Sequence, residues 1–153
     1  MRKVNYKLFL IQFVVMTIVG ILFNPMNMLA FRLDDLYLSK TLFYGGLLMA
    51  SNMIWSHEIV HYLSMGHFNK EMFIFGVILS IFIVFGILRR QILVDNKNWL
   101  RRMIPHHSTA LTTTKKLLKS KDIKQNGIVY RLGKDIIYNQ EREISLMKLL
   151  LNN

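Results

Sequence analysis

Met103-Ile104-Pro105-His106-His107 is the stretch on which the interpretation of this chain depends. If its backbone is helical, Met103 lies three and four positions before His106 and His107, so a thioether and two imidazoles share one side of a turn. These donors are soft to borderline, and they suit copper, Cu(I) above all, rather than calcium or magnesium. The pentapeptide therefore predicts a soft-metal site. The ordinary alternative is a surface turn with two histidines.

The surroundings of this pentapeptide resemble a known family. RRMIPHHSTAL covers Arg101–Leu111, and DIIYNQEREISLMKLLL follows over Asp135–Leu151. In this order the two stretches resemble the domain of unknown function 305 family, which has a Met-Ile-Pro-His-His signature and a Gln-x-x-Glu-Ile-x-x-Met pattern. The resemblance covers Trp99–Leu151 closely. The second pattern falls on Gln140, Glu143, Ile144 and Met147.

The resemblance implies a ferritin-like fold and a role in copper handling. An antiparallel hairpin brings Met147 toward the start of the preceding helix, so the predicted ligands are Met103, His106, His107 and Met147. Glu143 is expected to orient an imidazole or to act as a further ligand. The alternative is that both methionines are core residues and that the glutamate pairs with a lysine. The chain has Thr113 where the family often has a methionine, which removes one thioether.

Charge and apolar residues are segregated along the 153 residues. From Arg89 onward there are 14 Lys or Arg against 5 Asp or Glu, whereas the first part of the chain is mostly apolar. This asymmetry is typical of a membrane part followed by a basic, water-exposed part. Only Trp99, Tyr130 and Tyr138 could stack on bases in the basic part, so no nucleic-acid partner is expected, and anionic lipid headgroups explain the charge more simply.

The chain contains ten methionines, five histidines and no cysteine. Disulfides and thiolate metal sites are therefore excluded, and a soft-metal site has to use thioethers and imidazoles. Such a donor set suits an oxidising compartment.

Three apolar segments predict three transmembrane helices within residues 1–90. Leu8–Phe23 follows a basic start and lacks a signal-peptide cleavage site, and Met72–Leu88 has a single polar side chain. Leu42–Met65 is long enough to cross if its apolar periodicity continues past Trp55. Its ionisable residues would then lie in or near the bilayer, where such groups usually mark a functional site.

The middle segment contains His57-Glu58-Ile59-Val60-His61, which matches the His-Glu-x-x-His motif of zinc proteases. A membrane zinc hydrolase is therefore an alternative function, but a third protein ligand is not recognisable. The spacing Glu58-x-x-His61 also occurs in di-iron bundles, which need a second such motif and further carboxylates that are missing.

The same segment has a methionine or histidine at every fourth position from Met49 to Met65. Neighbours in this series align on one helix face, although the ends drift apart. The pattern predicts either packing residues or a second soft-metal site. Its candidate ligands are Met53, His57, Glu58, His61 and Met65.

Residues 91–153 predict a helical hairpin. Asp95 or Asn96 can cap a helix that begins near Lys97, is bent by Pro105 and fades near Ser120. A turn is expected over Lys121–Gly127, followed by a second helix from Ile128 to Leu151. Two helices cannot bury a full core, so a second copy is expected to complete a four-helix bundle.

The sequence thus predicts an all-α protein with three transmembrane helices, spanning about residues 8–23, 42–65 and 72–88, and a ferritin-like hairpin that forms a homo-oligomer. The expected function is copper binding at a membrane, for metal tolerance or trafficking, without catalysis. Zinc is the alternative metal, and a metal-free oligomerisation module is the third possibility. The lipid bilayer is the other expected partner. The basic start of the first helix favours an extracytoplasmic hairpin, whereas the count of near-membrane positive residues favours the opposite side.

Overall fold

A computed structural model describes residues 6–120, 123 and 126–152 of the chain, apart from the side chains of residues 6 and 8. Within these residues the protein is all-α, as predicted, and no strand is present. A 3-10 turn covers Leu33–Asp35, and a π-helix over Phe82–Leu88 continues α4. We number the α-helices α1 (Tyr6–Leu22), α2 (Pro25–Met28), α3 (Lys40–Met65), α4 (Lys70–Ile81), α5 (Asn96–Leu117) and α6 (Gly127–Asn152).

The chain divides into two compact units, neither of which is a continuous segment. Unit 1 comprises Met1–Asn24 and Lys40–Leu93, and unit 2 comprises Pro25–Ser39 and Val94–Asn153. The segment 25–39, which connects α1 to α3, therefore belongs to the same unit as the C-terminal hairpin. We call this segment the strap.

In unit 1, α1 and α4 each pack against α3 through small residues. A Cβ added at Gly20 would lie 3.0 Å from the Cα of Gly46, so the backbones of α1 and α3 approach closely there. Ser80 donates a hydrogen bond to Ser51 across the α3–α4 contact, with 2.9 Å between the two oxygens, and both residues are buried. Close backbone approach and buried hydroxyl pairs are typical of helix packing in membranes.

Two described helical segments are long and apolar enough to cross a membrane, not the three that the sequence predicted. They are Phe9–Met28 and Lys70–Leu88, with mean hydropathies of 2.0 and 2.6. Only 11% and 17% of these windows are buried, so neither resembles the core helix of a soluble protein. The predicted middle span forms a helix of the expected length, α3, but its polar residues, among them Asn52 and Glu58, make it too polar to meet the same criterion.

We expect Gly46→Ala to destabilise unit 1 and Gly45→Ala to leave it unchanged or slightly more stable. A Cβ at Gly46 would lie 2.7 Å from the carbonyl oxygen of Thr17, whereas one at Gly45 would meet only Asn24, at 3.9 Å. Alanine gains roughly 1 kcal/mol over glycine in a helix interior, and the overpacking at Gly46 costs about 1–3 kcal/mol. Thermal unfolding of both variants in detergent micelles tests this. Equal melting temperatures would show that α1 and α3 do not pack this closely.

In unit 2, α5 and α6 form the predicted hairpin. Asp95 caps α5 by accepting a 2.7 Å hydrogen bond from the backbone N–H of Asn98. The helix continues through Pro105, which is buried, and ends at Leu117, three residues before the predicted position. The helix α6 covers the predicted second helix. Residues 121, 122, 124 and 125 of the predicted turn lie outside the described residues.

The core of unit 2 lies between α5 and α6 and consists of Leu100, Ile104, Leu111, Ile144 and Met147. Tyr37 of the strap packs against this cluster. The sequence led us to expect that a second copy of the chain would cover this core. Part of the core is instead covered by the strap of the same chain.

Candidate metal centre

The Met-Ile-Pro-His-His signature lies in the middle of α5 and is helical, as the metal interpretation requires. His106 is exposed and His107 is half-buried, and the centroids of the two rings are 5.7 Å apart. Met103 precedes both by about one turn. The backbone therefore places these three side chains on neighbouring positions of one helix.

Glu143 of α6 reaches across the hairpin to His107. Its Oε2 lies 2.9 Å from Nδ1 of the imidazole, and the side chains are 43% and 15% exposed, respectively. This distance is short enough for a hydrogen bond, but the angle is not suitable for one. Nδ1 of His107 is therefore a buried atom without a hydrogen-bond partner in the described part of the chain. A small rotation of the more exposed carboxylate aligns them. The carboxylate can then fix the imidazole with Nε2 facing away from it, the arrangement common around metal-binding histidines.

The two methionines of the predicted ligand set belong to one cluster. Met147 is buried in the core of unit 2, and the half-buried Met103 packs against that core. The structure thus places both methionines at the same core, Met147 within it and Met103 against it. Both side chains also fill core space, so their packing alone does not distinguish a ligand from a core residue.

The electrostatic surroundings keep His106 neutral. Burial, the neighbouring His107 and the positive charge of Arg102 all lower the pKa of His106 below its usual value of 6.5. Arg102 is itself partly buried, which lowers its pKa, and its Nη1 has no hydrogen-bond partner among the described residues. A neutral imidazole keeps the lone pair that a metal requires, although the guanidinium repels cations.

The second predicted group lies at the C-terminal end of α3. The rings of His57 and His61 are 5.8 Å apart between centroids. Glu58 accepts a 3.0 Å hydrogen bond through Oε2 from the backbone N–H of Asn69, the residue that caps α4 by accepting from the N–H of Met72. Glu58 therefore joins the ends of α3 and α4, whereas the zinc-hydrolase interpretation needs it as a base at a metal.

The methionines of the second group do not converge on the histidines in an enclosed site. Met53 is half-buried, and Met65 is 67% exposed at the end of α3. Counting only imidazole, carboxylate and thiol donors, the described residues contain no group of three or more that could hold a metal ion as the side chains stand. A metal centre in either unit therefore depends on methionine sulfur or on side-chain movement.

A polar network next to the signature was not predicted from the sequence. Ser108, which directly follows the two histidines, is fully buried; it donates to Asp35 (2.5 Å) and accepts from the backbone N–H of Phe31 (2.7 Å). Lys148 of α6 binds Asp34 and Asp35 at 2.7 and 2.6 Å. The network attaches the strap to the turn of α5 that carries His107.

Comparison with known proteins gives two matches. Residues 94–152 match the family described as Domain of unknown function (DUF305), in agreement with the resemblance seen in the sequence. The chain is also 34% identical over 149 residues to an uncharacterized protein of Acanthamoeba polyphaga mimivirus, and the alignment covers 97% of this chain and 93% of that protein. No solved structure matches. The alignment with the viral protein extends over both units.

Proposed function

The chain belongs to the same family as the mimivirus protein and matches the domain of unknown function over residues 94–152, and on this premise we propose that it is a membrane-anchored copper-binding protein. Copper, in its Cu(I) state, is the cargo of the hairpin, held for metal tolerance or trafficking. The observation that carries the proposal is the approach of Glu143 to the buried Nδ1 of His107, beside the neutral His106.

The donor set of unit 2 fits Cu(I). His106 and His107 offer imidazole nitrogens, and Met103 and Met147 offer polarisable thioether sulfurs, which are the ligand types that soft copper prefers. The lowered pKa of His106 favours metal binding, because most of the imidazole is already unprotonated at neutral pH and the metal ion does not have to displace a proton from it. Glu143 orients the imidazole of His107 or adds an oxygen ligand. Zinc is the alternative ion, for which two thioethers are poor ligands.

The membrane anchor is unit 1, and we propose that it crosses the bilayer three times. If α1 and α4 crossed but α3 did not, the strap and the hairpin would end on opposite sides of the membrane. Lys148 of the hairpin binds Asp34 and Asp35 of the strap, so the two must lie on the same side. The helix α3 has 26 residues and is therefore about 39 Å long, which exceeds a hydrocarbon core of about 30 Å.

The outer surface of α3 supports this topology. Its buried face includes the polar Ser51, whereas its exposed positions include Phe43, Val60 and Leu63. Apolar residues outside and a hydroxyl inside are expected where lipid replaces water. The basic start of the chain then favours a cytoplasmic N-terminus and an extracytoplasmic hairpin.

A second copy of the chain is the further partner we propose. The helix α6 exposes Leu146, Leu149 and Leu150 on one side of unit 2, each more than half accessible. Such an apolar face is costly in water and is typical of an interaction surface. Pairing of two hairpins would bury it and would complete a four-helix, ferritin-like bundle.

We expect the full-length protein in detergent to bind Cu(I) stoichiometrically, and the His106→Ala/His107→Ala variant to lose this binding. Competition with a chromogenic Cu(I) chelator measures the affinity. The matched control is His57→Ala/His61→Ala, which removes two histidines from unit 1 and should retain Cu(I).

Glu143→Gln should weaken binding by about 10–100-fold, as expected for loss of a partner that orients a ligand. Absence of Cu(I) binding in the wild type would contradict the proposal and leave a metal-free oligomerisation module.

A further inference from the structure

A third histidine lies close to His61, one of the two at the end of α3. His67, in the turn between α3 and α4, has its ring centroid 6.3 Å from that of His61, which is in turn 5.8 Å from that of His57. The motif His-Glu-x-x-His contains only two of these residues, so the sequence pattern did not reveal the group. The connection between the helices brings the third imidazole next to that of His61.

The backbone of the turn places His67 near the helix end that carries the pair. Gly66 has φ of +68°, a conformation that glycine adopts without strain, and it reverses the chain directly after α3. At the other end of the turn, the carboxylate of Glu58 accepts a hydrogen bond from the backbone N–H of Asn69 and so ties the turn to α3. The position of His67 therefore follows from a glycine and a capping carboxylate, not from helical spacing.

Hydrogen bonds to the backbone orient two of the three rings. Nδ1 of His61 lies 3.2 Å from the carbonyl oxygen of His67, and Nδ1 of His67 lies 3.2 Å from that of Met65. A carbonyl oxygen can only accept, so both Nδ1 atoms carry the proton when they make these bonds, and both Nε2 atoms keep a lone pair. This is the tautomer of histidines that bind a metal through Nε2 while their other nitrogen donates to a carbonyl.

Side-chain rotation has to bring the three Nε2 atoms to one ion, because no three such donors meet as the described side chains stand. Two nitrogens that share a tetrahedral zinc ion at about 2.1 Å are roughly 3.4 Å apart. The rings are separated by one helix turn and one tight turn, and the side chain of His57 is 62% exposed. His67 is exposed as well, and exposed side chains change rotamer in picoseconds to nanoseconds.

We propose that His57, His61 and His67 form a separate site for a borderline divalent metal ion, with Zn(II) as the ion that three imidazoles suit best. Glu58 is a positioning residue for this site, because it holds the turn that carries His67. The site shares no residue with the copper centre of the hairpin. Three protein ligands leave the fourth position of the ion open to water or to a further ligand.

The test uses full-length protein in detergent with His106→Ala/His107→Ala as the background, so that the hairpin centre contributes nothing. Zn(II) binding is measured by titration calorimetry in competition with a chelator. We expect one Zn(II) per chain, and we expect an added His67→Ala to weaken its binding by more than about 100-fold, since loss of an outer partner alone costs about 10–100-fold. The control is Ser64→Ala, in the last turn of α3, which should leave the Zn(II) affinity unchanged because Ser64 is exposed and donates only to the backbone carbonyl of Val60.

Two results would overturn the proposal. One is that the background variant binds no stoichiometric Zn(II). The other is that added His67→Ala has no effect while His57→Ala/His61→Ala abolishes binding, which would show a two-histidine site. Misfolding is detected separately: His67→Ala in the wild-type background should keep its helical circular dichroism and its thermal unfolding midpoint. Because Zn(II) is measured without the hairpin histidines, failure of this proposal leaves the copper proposal unaffected, and the converse also holds.

Discussion

Replacement of Lys148 by methionine should lower the free energy of unfolding of unit 2 by about 3–5 kcal/mol, the usual cost of removing one partner from a buried ion pair. The reason is the burial of Asp35, which is only 1% exposed. Lys148 lies 2.6 Å from its Oδ1, and that atom has no other partner among the described residues, so this ammonium group alone compensates it. Without Lys148, the carboxylate stays buried with only the hydrogen bond from Ser108.

The matched control is Lys115→Met, which removes a lysine of similar exposure from α5. Lys115 binds Glu141 at 2.6 Å, but the glutamate is 47% exposed and regains water when the lysine is lost. Exposed pairs contribute about 0–1 kcal/mol, so this variant should lose at most that amount. Hydrogen exchange of the amides in the strap and α6, measured in full-length protein, gives the opening free energies. Similar losses in both variants would show that Asp35 is not buried against the hairpin.

The same network should respond to pH at its alkaline end. Burial opposes the charge of Lys148, but the hydrogen bonds that Lys148 donates to Asp34 and Asp35 outweigh this effect and raise the pKa of Lys148 above its usual 10.5. A raised pKa in the folded state means that the stabilisation is fully present below 10.5 and is lost as the pH rises through the folded value. Protection of the strap should therefore be constant near neutral pH and should fall only in strongly alkaline solution.

The sequence predicted the elements of unit 2 well because their signals are local. The capping Asp95 and the apolar periodicity of α5 and α6 depend on neighbours within a few residues. The antiparallel hairpin, which a short connection between two helices favours, also led us to expect Glu143 near an imidazole, although the sequence did not single out His107. The roles of Met103 and Met147 stayed open, since a thioether packs in a core as readily as it binds a metal.

The strap could not be predicted, because its contacts join residues that are far apart in the chain. Ser108 is 73 positions from Asp35, and a serine and an aspartate give no pattern that identifies them as partners. The position of His67 was missed for a related reason: it depends on a positive φ at Gly66, which helical spacing does not report.

The proposed crossing of the membrane by α3 predicts an all-or-none labelling result. The chain has no cysteine, so single cysteines can be introduced without altering the background. Leu33 of the strap, Ser64 near the end of α3 and Ser145 of α6 are all exposed. With Leu33→Cys, Ser64→Cys and Ser145→Cys variants in oriented membrane vesicles, a membrane-impermeant maleimide added outside should label positions 33 and 145 together. Position 64 should react only after the vesicles are opened.

Each alternative topology predicts a different labelling pattern, which makes the result decisive. If α3 stayed on one side while α1 and α4 crossed, positions 33 and 64 would react together and position 145 would react from the other side. That outcome would separate the strap from the hairpin and is incompatible with the binding of Asp34 and Asp35 by Lys148. Labelling of all three positions from one side would mean that neither α3 nor α4 crosses. Three crossings would keep the strap and the hairpin on one side of the membrane and would put the α3–α4 turn, with its three histidines, on the other.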